Sequence, residues 1–330
     1  LLPQSLSGVA SAVAGIDVFK KPVWCPAPNQ TQQSDPSTKV QSAASSTISK
    51  NRLAFVGCLD NLSRKYLQCD QGGFFVSLFD LEGKVAVITG SSRGIGRAIA
   101  ERMAEHGAKV VISSRKAEPC QEVAAAINAK YGQTRAIAVP ANISSKDQLQ
   151  HLIDETTRVF GQVDVLVCNA ASNPYYGPLL AISDDQFRKI LDNNVVANNW
   201  LIGFVAPQMI ARKDGAIIII SSIGGLKGNA IIGAYNISKA ADFQLARNLA
   251  AELGPHNVRV NCIAPGLVRT DFARALWENP ETLKNSTART PLGRIGEPDE
   301  IAGAAILLAS KAGTFMTGQT IVVDGGATIT

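Results

Sequence analysis

A phenol and an ammonium stand four residues apart in Tyr235-Asn236-Ile237-Ser238-Lys239. On a helix such a pair shares one face, about one turn apart. A cation at that range favours phenolate and lowers the tyrosine pKa, which suits a proton donor or acceptor working nearer neutrality. The spacing alone fits a surface tyrosine beside a solvated lysine equally well. Two other side chains add to the pattern. Ser222 follows the apolar run Ala216–Ser221 and offers a hydroxyl to a carbonyl oxygen, or closes a turn. Asn194 lies in Asp192-Asn193-Asn194-Val195, inside a helical stretch where an amide is a mediocre helix former. There it is either a polar helix face or a group that holds a water or distorts the helix.

Positioning these groups requires a sheet. The apolar run Val85-Ala86-Val87-Ile88 reads as a buried parallel strand, and Arg97–Met103 as a helix. Between them lies Thr89-Gly90-Ser91-Ser92-Arg93-Gly94-Ile95-Gly96. Gly90 allows a tight turn, and Gly94 lets backbone approach a pyrophosphate at the positive end of the helix. Gly96 allows close packing of helix on strand. Further strands are expected at 109–113, 135–139, 164–168, 216–221, 258–263 and 319–323. Helices are expected between them, near 117–131, 145–160, 184–208, 232–254 and 297–311, with a lid at 271–289. Ser183 with Gln186 reads as a capping box. The alternation predicts an α/β fold, a single Rossmann-type doubly wound domain with a seven-stranded parallel sheet and helices on both faces. Ser222 then falls at the C-terminal sheet edge, where such folds bind ligands.

The chain has 330 residues, 46% of them apolar, and a net charge of +5. Residues 1–78 contain no Glu, are rich in Ser and Gln, and show no sustained period. They read as an N-terminal extension, irregular or targeting, ahead of a catalytic domain over 79–330. The modest charge of the remainder gives no reason to invoke nucleic acid. No apolar run approaches the ~20 residues of a membrane span. A soluble protein is expected, cytoplasmic or, with a leader, organellar. The six cysteines show no paired metal spacing, and Cys168 and Cys262 lie in strand patterns as reduced, buried thiols.

Together these motifs make residues 80–328 resemble the short-chain dehydrogenase/reductase family. The glycine stretch, Asn169-Ala170, Asn194, Ser222, the Tyr235–Lys239 pair and Pro265-Gly266-Leu267-Val268-Arg269-Thr270 occur in the family's order and separations. The resemblance implies hydride transfer to or from a nicotinamide cofactor, with Tyr235 as general acid/base and Ser222 polarising the substrate carbonyl. It implies that Lys239 lowers the tyrosine pKa and binds the nicotinamide ribose, and that Asn194 anchors a relay water. Thr270 and the backbone near Gly266 and Val268 would hold the carboxamide. Asn142-Ile143 stands beside the adenine, where an Asp is frequent. The loop Cys168-Asn169-Ala170-Ala171 departs from the family's Asn-Asn-Ala-Gly by small substitutions.

Charge selects NADP(H). Where NAD users place an acidic residue after the second strand, this chain has Ser114, followed by Arg115 and Lys116. These cations, with Arg93, can pair with a 2′-phosphate. The sequence is most similar to the NADP-dependent carbonyl/retinal reductase branch. Phe272, Leu276 and Trp277 on an inward lid face would suit a bulky, apolar carbonyl or alcohol substrate. One alternative is a 3-oxoacyl-thioester reductase that docks an acidic carrier protein through Arg212 and Lys213. Another is a non-catalytic NADP-binding subunit of a larger assembly. The resemblance also implies a homotetramer or homodimer, and no metal.

Overall fold

The computed structural model describes residues 77–132 and 134–330. The expectation for 1–78 therefore lies outside the described residues, apart from Ser77 and Leu78. Seven parallel strands form one sheet: β1 Val85–Thr89, β2 Lys109–Ser113, β3 Ala136–Ala138, β4 Val165–Cys168, β5 Gly215–Ile220, β6 Val258–Pro265 and β7 Thr320–Val323. Their order is β3-β2-β1-β4-β5-β6-β7. The order reverses direction between β1 and β4, and a doubly wound sheet opens its ligand crevice at that point.

Strand side chains alternate between two cores. Ala86, Ile88, Ile112, Val167 and Ile218 face one layer, with Ile99 and Met103 of α1 (Gly94–Glu105), Val123 of α2 (Ala117–Tyr131) and Ile301 of α9 (Pro298–Ala309). Val87, Leu166, Ile217 and Ile219 face the other. There they meet Leu149 and Leu152 of α3 (Lys146–Phe160), Leu201 and Val205 of α5 (Ala197–Arg212), and Phe243 and Ala246 of α6 (Gly233–Leu253). Every residue of β5 is buried, as a strand covered on both faces requires. The buried carboxylate of Asp164 accepts from the Val85 N–H at 2.8 Å and so locks the start of β1 to β4.

The expected helix at 184–208 is a composite rod. It consists of α4 (Asp184–Leu191), a π-helical turn over Asp192–Val196, and α5. Ser183 and Gln186 do form the capping box that starts it. The lid region holds two short helices, α7 (Arg274–Trp277) and α8 (Pro280–Thr287). Among the described residues, no helix is long and apolar enough to cross a membrane, and no group of His, Cys, Asp and Glu could hold a metal ion.

Candidate active site

The glycine stretch turns sharply from β1 into α1. Gly90 and Gly94 have φ of +66° and +58°, a region that L side chains adopt rarely. A Cβ on Gly96 would meet Asn169 Nδ2 at 2.5 Å and the Gly90 carbonyl at 2.6 Å, so only glycine fits. Asn169 forms the floor of the loop. Its Nδ2 donates to the carbonyls of Thr89 (2.8 Å) and Gly90 (3.2 Å), and the Thr89 hydroxyl accepts from the N–H groups of Asn169 and Ala170, both at 3.1 Å. No side chain caps the N-terminus of α1, and its first turn holds no acidic residue. Its free N–H groups and positive dipole end suit a pyrophosphate. Ser92 and Ile95 are half-buried in this loop.

Beyond β2 lies the basic turn. Arg115 and Lys116 are exposed and have no carboxylate partner among the described residues. Ser114 turns its hydroxyl inward to Cys120 Sγ, 3.1 Å away. Arg93 differs from expectation: it pairs with Asp271 of the lid at 3.2 Å, because the glycine loop and the lid approach each other there. Asn142 Oδ1 accepts from the Ser144 N–H at 3.2 Å, which shapes the turn after β3, and Ile143 packs against the second core. At the other end, Gly266 donates to the Val323 carbonyl (2.9 Å), just after Pro265 closes β6. Val268 bridges to Gly296. Thr270 Cγ2 would stand 3.3 Å from a Cβ on Gly94, so the first and last parts of the predicted cofactor site face each other across the switch point.

The expected reacting groups follow β5 and open α6. Ser222 starts the turn after β5, and its Oγ accepts from the Gly224 N–H at 3.0 Å. Tyr235, half-buried, stands on the first turns of α6 with Phe272 of the lid 6.0 Å from its ring. Lys239 is 2% exposed. Its Nζ lies 5.8 Å from the Tyr235 ring centroid and donates to the Ile220 carbonyl (2.9 Å) and to Asp242 Oδ2 (3.0 Å). Burial alone would lower the lysine, but the Asp242 carboxylate and the phenol more than offset it and raise the ammonium.

Lys239 and the Ser222 hydroxyl pull the Tyr235 phenol down, as expected, while burial pushes it up and outweighs them. The lysine charge is balanced by Asp242, a carboxylate that sequence reasoning did not single out. Its signal was present: Asp242 stands three residues after Lys239 and four before Ala246, on the face that enters the core.

Asn194 is wholly buried in the π-helical turn. Its Oδ1 accepts from the Ser172 N–H (2.8 Å), and its Nδ2 donates to the Ser172 carbonyl and Ser238 Oγ, each at 3.0 Å. Its backbone carbonyl also accepts from Asn198 Nδ2 at 2.6 Å. Trp277 is not an inward lid residue alone. Its Nε1–H donates to the Thr270 carbonyl at 2.9 Å and its ring lies beneath the Arg269 guanidinium, which ties α7 to the end of the cofactor segment.

Comparison with known proteins gives concordant matches. A family model described as enoyl-(acyl carrier protein) reductase matches residues 90–328. "Dehydrogenase/reductase SDR family member 4" from Bos taurus is 41% identical over 248 residues, covering 75% of this chain and 88% of that protein. Its namesake from Caenorhabditis elegans is 37% identical, covering 74% and 95%. Among solved structures, a gluconate 5-dehydrogenase from Burkholderia cenocepacia in complex with NADP and tartrate superposes with a TM-score of 0.74 at 34% identity, covering 78% of this chain and all of that one. A 7α-hydroxysteroid dehydrogenase complexed with NADH and 7-oxo glycochenodeoxycholic acid does so with a TM-score of 0.72 at 36% identity, covering 77% and 98%.

Proposed function

The chain belongs to the short-chain dehydrogenase/reductase family of NAD(P)-dependent oxidoreductases, and from that premise we propose that it is an NADP(H)-dependent carbonyl reductase. The observation that carries this reading is the convergence of Ser222, Tyr235 and buried Lys239 at the sheet edge that the glycine loop and Thr270 also reach. An uncapped α1 and a basic turn without carboxylates fit a dinucleotide with a 2′-phosphate. NADP bound to a similarly folded gluconate 5-dehydrogenase supports the same choice. Bound NADPH would supply the hydride.

The chain's own groups then divide the work. Ser222 is the hydroxyl donor that orients and polarises the substrate carbonyl. Tyr235, protonated in its half-buried setting, gives its proton to the carbonyl oxygen as negative charge develops there. Lys239, fixed by the Ile220 carbonyl and Asp242, keeps one N–H free for a ribose hydroxyl or a water. Asn194 holds the Ser172 loop and Ser238 in place and is the residue assigned to anchor a relay water. Asn169 and Ala170 support the glycine loop, while Gly266, Val268 and Thr270 border the nicotinamide end. Phe272 and the exposed Tyr176 and Ile231 favour an apolar substrate. Val322 on edge strand β7, with Phe315 and Ile329 exposed nearby in sequence, fits a self-association face.

For the 3-oxoacyl-thioester alternative, Arg212 donates to the Val163 carbonyl (2.7 Å) and lies 3.7 Å from Asp164, which leaves exposed Lys213 as the freer cation of the expected docking pair. The test is NADPH consumption with a panel of apolar ketones and a 3-oxoacyl thioester. Tyr235→Phe should abolish turnover on the accepted substrate, and Ser222→Ala should lower it about 10²-fold or more, both retaining NADPH binding. Near-normal reduction by Tyr235→Phe would refute the assignment.

A further inference from the structure

We propose that Asn236 is a positioning residue for this reaction: it clamps the turn that carries Ser222 onto helix α6, and so sets where the Ser222 hydroxyl stands relative to Tyr235. The inference deepens the carbonyl-reductase reading and rests on it. Asn236 directly follows Tyr235 but is 8% exposed, on a buried face of α6 that also carries Phe243. Its Nδ2 donates to the Lys227 carbonyl at 3.2 Å, nine positions back and just past the turn that Ser222 starts. The middle of the turn lies close against the same face. A Cβ on Gly224 would meet Asn236 Oδ1 at 2.4 Å, and one on Gly225 would meet the Lys239 carbonyl carbon at 2.6 Å and Phe243 Cε2 at 2.7 Å. At the near end, Ser221 Oγ donates to the Lys239 carbonyl at 2.7 Å. The turn is therefore seated on α6 at its start, its middle and its end.

The contact at Gly224 leads to the chemistry. Gly224, close against Asn236, is the residue whose N–H donates to Ser222 Oγ at 3.0 Å. That bond occupies one lone pair of the hydroxyl and leaves its proton for a carbonyl oxygen. Tyr235 stands on the helix and Ser222 on the turn, so a shift of one against the other moves the two groups apart. A misplacement of about 1 Å can cost about 10²-fold in rate. Folding stability does not account for the amide. Its Oδ1 is buried without a hydrogen-bond partner, which is a cost in an interior. Lys227 is exposed, so its carbonyl can turn to water when the amide is lost. Leucine has nearly the branched shape of asparagine and would fill the place without a bare acceptor.

The experiment measures NADPH-dependent carbonyl reduction by wild type, Asn236→Leu, Ser222→Ala and the double variant, with NADPH Kd and the denaturant midpoint of each. Asn236→Leu should lower kcat about 10-fold, with NADPH Kd unchanged and a midpoint no lower than that of wild type. In the Ser222→Ala background the same change should cost less than about 2-fold, because the hydroxyl it positions is gone. Equal losses in the two backgrounds would overturn the proposal, and so would a wild-type kcat in Asn236→Leu. Asn236→Ala, which drops the amide without filling its place, repeats the cycle if the leucine variant does not fold. Loss of folding in both variants would also overturn it, since the amide would then serve the fold. Failure of the carbonyl-reductase reading would show instead as full activity in Tyr235→Phe.

Discussion

Cofactor choice is the sharpest quantitative consequence of the structure, and Arg115 carries it. The end of β2 is fixed against the glycine loop: the Ser91 N–H donates to the Ser113 carbonyl at 3.1 Å, and the Ser113 N–H donates to Ser91 Oγ at 2.9 Å. The next residues therefore emerge beside the loop, where doubly wound folds receive the adenosine ribose. Ser114 has turned inward and Arg93 is paired with Asp271, so Arg115 and Lys116 are the cations left for a 2′-phosphate. A hydrogen bond to a charged group contributes about 1.5–3 kcal/mol, which corresponds to roughly 10- to 150-fold in affinity. Arg115 is exposed and screened, so Arg115→Ala should raise the NADPH Kd toward the lower end, about 10- to 30-fold. NADH lacks the phosphate and should be unaffected. Lys116→Ala should have a smaller effect, because an ammonium cannot present a planar fork to the phosphate. Fluorescence titration of both cofactors, backed by KM values with one carbonyl substrate, reads the difference. Equal weakening of NADPH and NADH, or a wild-type preference for NADH, would refute the reasoning.

Two further outcomes test the scaffold. Thr89→Val keeps shape but strips the acceptor from the Asn169 and Ala170 N–H groups, and should destabilise the protein by about 1–3 kcal/mol in denaturant unfolding while raising the NADPH KM; unchanged stability would show that water replaces the hydroxyl. Glu300 is held down to about 2 from an ordinary 4.5 by hydrogen bonds from Arg294 and the Glu297 N–H. Its carboxylate therefore contributes stability that is present above about pH 4.5 and lost as pH falls toward 2, a small contribution because the pair is exposed. The stability difference between wild type and Glu300→Gln should shrink over that window and with added salt, and a pH-independent difference would contradict it.

The sheet was legible because its strands are short runs of Val, Ile and Ala bounded by polar punctuation, and the observed limits differ from expectation by a residue or two. The glycine loop was legible for the same local reason: its turns and its close approach to Asn169 demand residues without a Cβ. The charge state of the site was not. Tyr235 and Lys239 announce themselves by spacing, but the field at Tyr235 depends on how deeply the helix face is buried and on what faces the lysine from behind. The chain links there are Asn198 to Asp242 and Asn194 to Ser172 and Ser238, pairs separated by 44, 22 and 44 positions. The partners of Arg212 were hidden for a related reason. As a residue in the last turn of a helix it reads as a surface cation, whereas folding brings the Val163 carbonyl within 2.7 Å.

The π-helical turn connects these facts. In an α-helix, residues 194 and 198 lie on one face, four apart. The buried positions 190, 193, 194, 197, 198, 201, 202, 205 and 209 carry one inward face through the turn over Asp192–Val196. Before the turn, the helix follows the spacing set by its capping box at Ser183. After it, Leu201 and Val205 point into the second core while Asn194 and Asn198 remain inside with them. Two amides, Asn194 and Asn198, thus stand on a face where hydrophobic residues would otherwise pack. They are tolerated because Ser172, Ser238 and Asp242 satisfy them. The asparagine picked out in sequence and the buried carboxylate that sequence missed are parts of one polar network in the interior.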